Sequence, residues 1–507
     1  MDYSVNAQIL VYSAVSAAFA IVLAADFRKW RGSIPLKMVG YGLLLAIAVE
    51  SLATSFPMDW LSGFFSLLAA VVAIAVTAYV EGYEEKKFPG RNLRSLIDLF
   101  AISIYAVFAS PNLIAFIMFW IMAEIAGFFA IVFEMSRRTL VAGLRYLIVS
   151  MIPADISLIA LLALASMKLG FTKALTLPMT SLPSALGTVS AALGIIIALG
   201  FMAKAAVAPL HFWLPDAHAL APAPASALLS GIMVKMGIYG ILRVAPCLPK
   251  LALLAIMGLA CVTVVYGGLQ AVVQGDIKRL LAYSTIENTS LMVMAAALGS
   301  YLGLHSAFVA TYLLASSHAL FKASLFMDSG IVEISAHTRE VYRLGFLSRY
   351  LTTPSLSSLI SVLSLMGVPP TIGFLAKLYL FMCLVDAVYR SAAIGIPLIV
   401  ITAVGTALAV AYGLKYLTIY WGSLEREGEI EAVKDGRLLA SELGLAATSI
   451  GLALPIYVAI AGLAPEAMVY VVPFAFVQVF FVALLYFVYS HIRVIARERQ
   501  WMGGAIP

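Results

Sequence analysis

The chain is predicted to be an all-α polytopic membrane protein, and three observations carry that prediction. Of its 507 residues, 63% are hydrophobic and 11% are charged, where soluble domains average about a quarter charged. Apolar runs of about 20 residues, long enough to cross a bilayer as helix, recur from one end to the other. The basic residues gather at alternate ends of those runs. The cysteines, Cys247, Cys261 and Cys383, are scattered without a CxxC pair. That argues against an iron–sulfur cluster or a disulfide framework, and no Gly-rich nucleotide fingerprint appears. No metal site and no redox chemistry are expected on this chain itself. The formal charge of +6 then belongs to loops, and no nucleic-acid partner is implied.

About fifteen spans fit the pattern: 7–26, 35–54, 60–80, 95–110, 112–133, 141–166, 185–213, 223–245, 251–273, 279–299, 304–333, 354–385, 394–421, 439–463 and 467–491. The first lacks a small-residue cleavage site and reads as a retained span. Lys and Arg concentrate after odd-numbered spans, as in Arg28, Lys29 and Arg31, Lys86 and Lys87, Arg137 and Arg138, Lys278 and Arg279, and Arg493, Arg497 and Arg499. At the other ends stand Lys168, Lys173, Arg243, Lys250 and Arg390. The positive-inside rule places the N-terminus outside a cell membrane and the C-terminus in the cytoplasm.

Spans 1 to 3 are apolar and are expected to contribute no mid-membrane charge. Asp59, heading span 3 in the run DWLSGFF, reads either as a helix cap or as a marker residue of the family described below. Span 5 carries Glu124 near its midpoint, either as a functional acid or as a structural carboxyl. Asp155 in span 6, beside Pro153, is a second acid or a bonded residue of a helix break. Span 7 has some 29 residues, about 43 Å as straight helix, and Pro209 supplies a break just after Lys204. His211 and His218 flank the turn WLPDA as relays or as structural histidines, and Asp216 is expected to cap a helix or to bond the turn. Span 8 holds Lys235 mid-helix with no snorkelling route.

Asp276 begins span 10 as an acid at a helix N-terminus, with Glu287 and Asn288 deeper. His318 and Lys322 in span 11 are four residues apart and share a face. Pro369 and Pro370 break span 12, and Lys377 follows two turns later. Lys415 in span 13 is placed to snorkel. The run LEREGEIEAVKDGR is a solvated charged loop suited to docking a partner. A bare ammonium in hydrocarbon costs about 3 kcal/mol or more, so membrane lysines face protein or water.

The run PLHFWLPDAHALAPAPASALL, followed by Lys235-Met236-Gly237, resembles the signature of the antiporter-like membrane subunits. These occur in respiratory complex I, multi-subunit sodium/proton antiporters and energy-converting membrane-bound hydrogenases. The variant IEN at 286–288 resembles the hydrogenase-type branch, whereas a lysine at 377 resembles other branches. The resemblance implies fourteen core helices with the last span an addition. Taken with the buried charges read from the residues, it points to a proton path through Glu124, Lys204, Lys235, His318, Lys322 and Lys377, with His211, His218, Glu287 and Asp155, an acid that is not a fixed feature of the family, as accessories.

Broken spans 7 and 12 lie five apart, so spans 4–8 and 9–13 read as two repeats. Units of five helices must enter from opposite sides, so the repeats are inverted. The expected divisions are 1–94 for the first helices, 95–245 and 251–421 for two half-channels, and 439–507 for the last helices. By resemblance, the subunit packs against other membrane subunits and a cytoplasmic redox module. Iron–sulfur clusters and a nickel-iron centre would lie in those partners, and the cargo is H+ or Na+. The alternative is a sodium/proton antiporter subunit without a redox partner.

Overall fold

The computed structural model describes residues 3–27, 33–422, 430–462 and 471–501. Within them, helix coincides with each predicted apolar run, and the described residues contain no strand beyond isolated bridges at Asn112–Pro178 and Asp276–Glu340. Ten helices are long and apolar enough to cross a membrane, among them Trp60–Lys87, Leu113–Ile131, Arg137–Leu169, Ala223–Cys247, Lys250–Val273 and Ala392–Trp421. Spans 10 and 11, helices Ile277–Leu302 and His305–Ala336, fall outside that group because polar residues dilute them. Their polar side chains sit inside the molecule: Thr285, Thr289, His318, Lys322 and Asp328 are all fully buried. Span 8 is likewise buried over its whole length. The outer helices instead expose Met118, Ile148, Ile159, Val262 and Val273, the apolar jacket that lipid or neighbouring subunits demand.

Two helices are interrupted as the prolines predict. The first half of span 7, Ala191–Lys204, ends at Lys204, and the chain re-enters helix at Leu214–Leu220. The predicted start at 185 was too early, since Leu182–Leu186 is a separate short helix closed by Gly187. Backbone groups freed by the break find partners: Trp213 Nε1 donates to the Ala203 carbonyl at 2.9 Å, and Ala208 N donates to Thr263 Oγ1 at 3.1 Å. Such repair is what permits irregular backbone at membrane depth. Span 12 splits into Thr352–Met366 and Ile372–Arg390, with Thr371 capping the second half through Phe374 N. The turn needs Gly367, whose φ is +80° and whose Cβ would stand 2.6 Å from Lys377 Cδ.

Other features were not legible from hydropathy. Span 8 contains a π-helical turn, Leu229–Met233, ending two residues before Lys235, and span 6 contains another at Leu147–Met151. Span 14 is interrupted after Gly451. Asp59 makes no side-chain cap bond and instead pairs with Arg243 at 2.6 Å. Asp216 does not simply bond its turn: it bridges Arg145 and Arg279. Lys415 is not left to snorkel, because its ammonium donates to the Val272 carbonyl at 2.8 Å and to Tyr342 Oη at 3.0 Å. The Asp276 cap is present, accepting from Arg279 N at 3.0 Å. The basic residues Arg28, Lys29 and Arg31 and residues 423–429 of the charged loop lie outside the described residues.

Candidate functional site

The buried bases expected from the sequence fall into three groups along the interior. In the first, Lys204 Nζ lies 2.6 Å from Glu124 Oε1, and neither side chain is accessible. Trp120 Nε1 donates to the same carboxyl oxygen at 2.9 Å. The ammonium also sits 4.8 Å from the centre of the Tyr146 ring. Lys204 is the last residue of its half-helix, where the negative end of the helix dipole favours a cation. The Asp155 carboxyl faces that of Glu124, and one oxygen of each has no hydrogen-bond partner. Asp155 itself is only half-buried, and it places a second carboxyl beside the one lysine of this pair.

The central group has bases and no adjacent acid. Lys235 Nζ contacts His318 Nδ1 and donates to the Ser230 carbonyl at 2.9 Å. That carbonyl lies in the π-helical turn, where loosened main-chain bonding leaves an acceptor for the lysine. Both residues are buried, and His318 Nε2 has no partner. Which nitrogen donates across this contact follows the protonation of Lys235 and the tautomer of His318. Lys322 continues the group, donating to the Leu281 carbonyl at 2.9 Å and contacting Ser284 Oγ. His218 also belongs here: it is fully buried, both ring nitrogens are unpartnered, and it stacks on Phe326 at 5.0 Å.

In the third group, Lys377 Nζ donates to the carbonyls of Leu365 and Met366 at 2.9 and 3.1 Å. These are the last carbonyls of the first half of span 12, so this lysine too sits at a broken helix's C-terminal end. Glu287, within electrostatic reach of both Lys322 and Lys377, accepts from Tyr412 Oη and from Asn288 Nδ2, the latter at 3.4 Å. The predicted members therefore come together as Glu124 with Lys204, Lys235 with His318 and Lys322, and Lys377 beyond Glu287. His211 stands apart, half-buried against the Tyr266 ring at 4.8 Å.

Two clusters escaped the sequence reading. Hydropathy did not show a buried charge at the ends of the first spans: Lys37 is inaccessible and lies 2.6 Å from Asp26, 2.8 Å from Glu81 and 2.7 Å from Asp98. Arg94 joins Glu81 and Glu84 to this knot at 2.8 and 2.7 Å. Each residue lies near a predicted helix end, where hydropathy reads snorkelling, and only the packing of four helix ends shows the convergence. The second cluster, Asp328 with Glu442, had a faint signal in the serine-rich run SLSSLISVLS of span 12. Among the described residues no group of three or more metal-ligating side chains is gathered.

Comparison with known proteins identifies the family and the fold. Residues 110–405 match the family described as NADH:quinone oxidoreductase/Mrp antiporter, TM. Hydrogenase-4 component B of Escherichia coli K12 is 29% identical over 422 residues, which is 78% of this chain and 62% of that protein. The chain spans roughly half to two-thirds of the length of the curated relatives it matches. In fold, it is similar to a chain of the Mrp complex from Dietzia sp. DQ12-45-1b, with a TM-score of 0.72 at 19% identity, covering 94% of this chain and 99% of that one. It is similar also to a chain of an archaeal membrane-bound sulfane sulfur reductase, a respiratory membrane complex, with a TM-score of 0.73 at 19% identity, covering 92% and 98%.

Proposed function

This chain belongs to the NADH:quinone oxidoreductase/Mrp antiporter transmembrane family, and from that premise we propose that it moves protons across the membrane as an antiporter-like subunit of a membrane-bound redox complex. It is a multi-pass integral membrane protein. The observation that carries the proposal is the succession of buried bases through the interior, Lys204, Lys235, His318, Lys322 and Lys377, with Glu124 at one end and Glu287 inside the series. A hydrophobic interior keeps such bases only where they are paired or exchange protons.

Each lysine holds a proton as ammonium and releases it as amine, with water between members. The Glu124–Lys204 pair is the lock. While closed, it holds one charge of each sign; when Glu124 turns away, Lys204 becomes an uncompensated charge and repels protons on Lys235 and Lys322. A unit charge about 10 Å away at an effective dielectric of about 20 is felt as about 1.7 kcal/mol, more than tenfold in a protonation equilibrium. Asp155, facing Glu124, offers the position to which the lock opens. The units 95–245 and 251–421 would be the two half-channels, with the N-terminus outside and the C-terminus in the cytoplasm.

The driving reaction is assigned to partner subunits carrying iron–sulfur clusters and a nickel-iron centre, in an energy-converting hydrogenase or related oxidoreductase. The likeness to hydrogenase-4 component B and to the sulfur reductase chain supports that reading. A second reading, a subunit of a sodium/proton antiporter without a redox partner and with Na+ as cargo, is favoured by the likeness to the Mrp chain over nearly its whole length. The test is Lys235→Ala in the whole complex, measured as ion pumping by inverted vesicles together with redox turnover. Pumping lost with the complex assembled is the expected result. Pumping unchanged removes Lys235 from the path. Pumping that needs only an imposed sodium gradient and no electron donor favours the second reading.

A further inference from the structure

Asp328 of span 11 and Glu442 of span 14 are both fully buried, and neither belongs to the lysine series. Tyr416 Oη donates to Asp328 Oδ2 at 2.5 Å, and Tyr420 Oη donates to Oδ1. Glu442 lies within electrostatic reach of Asp328, and neither of its oxygens has a hydrogen bond of good geometry, although Ser357 lies beside it. The elements packed around the pair present Tyr79 from span 3, Ser357 and Ser358 from span 12, and Tyr416 and Tyr420 from span 13. No Lys, Arg or His faces the two carboxyls among the described residues. Two buried carboxylates without a cation repel each other and forgo hydration, so the pair must hold at least one proton or bind a small cation. The donors divide the roles. Asp328, with two tyrosine hydroxyls, is built to be the anion, and Glu442, with no donor, is built to carry the proton.

A file of hydroxyls leads inward from this pair. On span 12, Ser357, Ser361 and Ser364 recur at helical spacing on one buried face, covering about 10 Å of rise. Ser361 Oγ donates to Ser324 Oγ at 2.9 Å, and Ser449 Oγ, two turns beyond Glu442, donates to Ser364 Oγ at 2.9 Å. The next two carbonyls, of Leu365 and Met366, are those that hold Lys377. At the other end, Glu442 is six residues from the helix start at Gly436, about 9 Å below that surface.

We propose that Asp328 and Glu442 form a proton-loading site that feeds Lys377 through the serine file. A proton arriving from the surface protonates one carboxylate. The other carboxyl releases its proton to the file, where each serine oxygen, joined to the next by water, accepts one proton and gives up another. Lys377 amine takes the last and becomes ammonium, so charge and atoms balance with no other reactant. This rests on the reading that the chain translocates ions, and the experiment separates the two.

The assembled complex is studied as wild type, Glu442→Gln, Asp328→Asn and Ser361→Ala, with Lys235→Ala as reference. Infrared difference spectra over a pH titration are expected to show a buried protonated-carboxyl stretch that vanishes in Glu442→Gln and is insensitive to added sodium at fixed pH. A band unaltered by Glu442→Gln overturns the site, and a band displaced by sodium but not by choline makes it a sodium site instead. In vesicles, Glu442→Gln is expected to slow pumping about tenfold or more, in the range of a lost proton-transfer group. Ser361→Ala, which leaves both carboxyls and the fold in place, is expected to slow pumping without removing the band. If Lys235→Ala abolishes pumping while Glu442→Gln and Ser361→Ala leave it intact, the loading role fails and the translocation reading stands. If Lys235→Ala leaves pumping intact, the translocation reading fails, and the infrared band still decides whether the pair holds a proton.

Discussion

The two broken helices hold their lysines differently. At the first break, Lys204 pairs directly with Glu124 at 2.6 Å, with Trp120 on the same carboxyl oxygen. At the second, Lys377 is held by two main-chain carbonyls, while Glu287 is turned to Tyr412 and Asn288. One site stores its charges as a closed pair, and the other keeps acid and base apart on separate neutral partners. A closed pair resists change until something displaces it, whereas a separated base can exchange its proton against dipoles alone. The first site therefore suits a gate and the second a relay.

The largest expected effect separates the two directly. Lys204→Ala leaves an uncompensated buried carboxyl and is expected to cost about 3–5 kcal/mol. Lys377→Ala leaves two carbonyls without a donor and is expected to cost about 1–3 kcal/mol. Thermal unfolding midpoints of the two variants in detergent check this, and equal losses would erase the distinction drawn here. Next comes Gly237→Ala. Its Cβ would stand 2.3 Å from the Phe201 carbonyl and 2.6 Å from Ala205 N, at the helix end that carries Lys204. Overpacking of about 1–3 kcal/mol, with pumping reduced, is expected there. Gly258→Ala, which meets no atom within 4 Å, serves as the silent control.

A smaller effect sharpens the relay. Tyr412→Phe removes a donor from Glu287 and is expected to cost about 1 kcal/mol. It frees the carboxyl to swing toward Lys377, so the second site should come to resemble the first. A double-mutant cycle of Tyr412→Phe with Lys377→Met measures that: coupling that rises when Tyr412 is removed supports the change, and none speaks against it. The smallest effect lies outside the path. Burial works against ionisation of Asp59, but the Arg243 guanidinium 2.6 Å away outweighs it and, with Ser62, holds the carboxyl below its ordinary range. A depressed folded value means that the contribution is complete above the ordinary value of 3.8 and is lost as pH falls through the folded value. Asp59→Asn should therefore flatten the acid limb of the stability curve by less than about 1 kcal/mol, which a thermal-midpoint series from pH 6 downward would detect.

Much of this was legible in the residues. Lysines inside apolar runs, with prolines beside them, marked both breaks and both helix-end bases, because a charge and a missing N–H cannot be ignored in hydrocarbon. Less visible were the contacts that convert a list into groups. That Glu287 turns to Tyr412, that Asp155 faces Glu124 and that Asp216 bridges two arginines depend on which helices lie side by side. The Lys37 knot and the Asp328–Glu442 pair went unread for the same reason. Each joins residues from three or more helices, and each member alone looks like an ordinary residue at a helix end or among serines.

By itself, the sequence determined that this is a membrane-embedded bundle with bases at fixed depths, since hydropathy, proline and charge act locally along one helix. Tertiary structure decided partners. The pairing of Glu124 with Lys204, the His318 contact of Lys235 and the isolation of Glu442 are set by packing between helices distant in the chain, and electrostatics across a few ångströms responds to that packing rather than to sequence order.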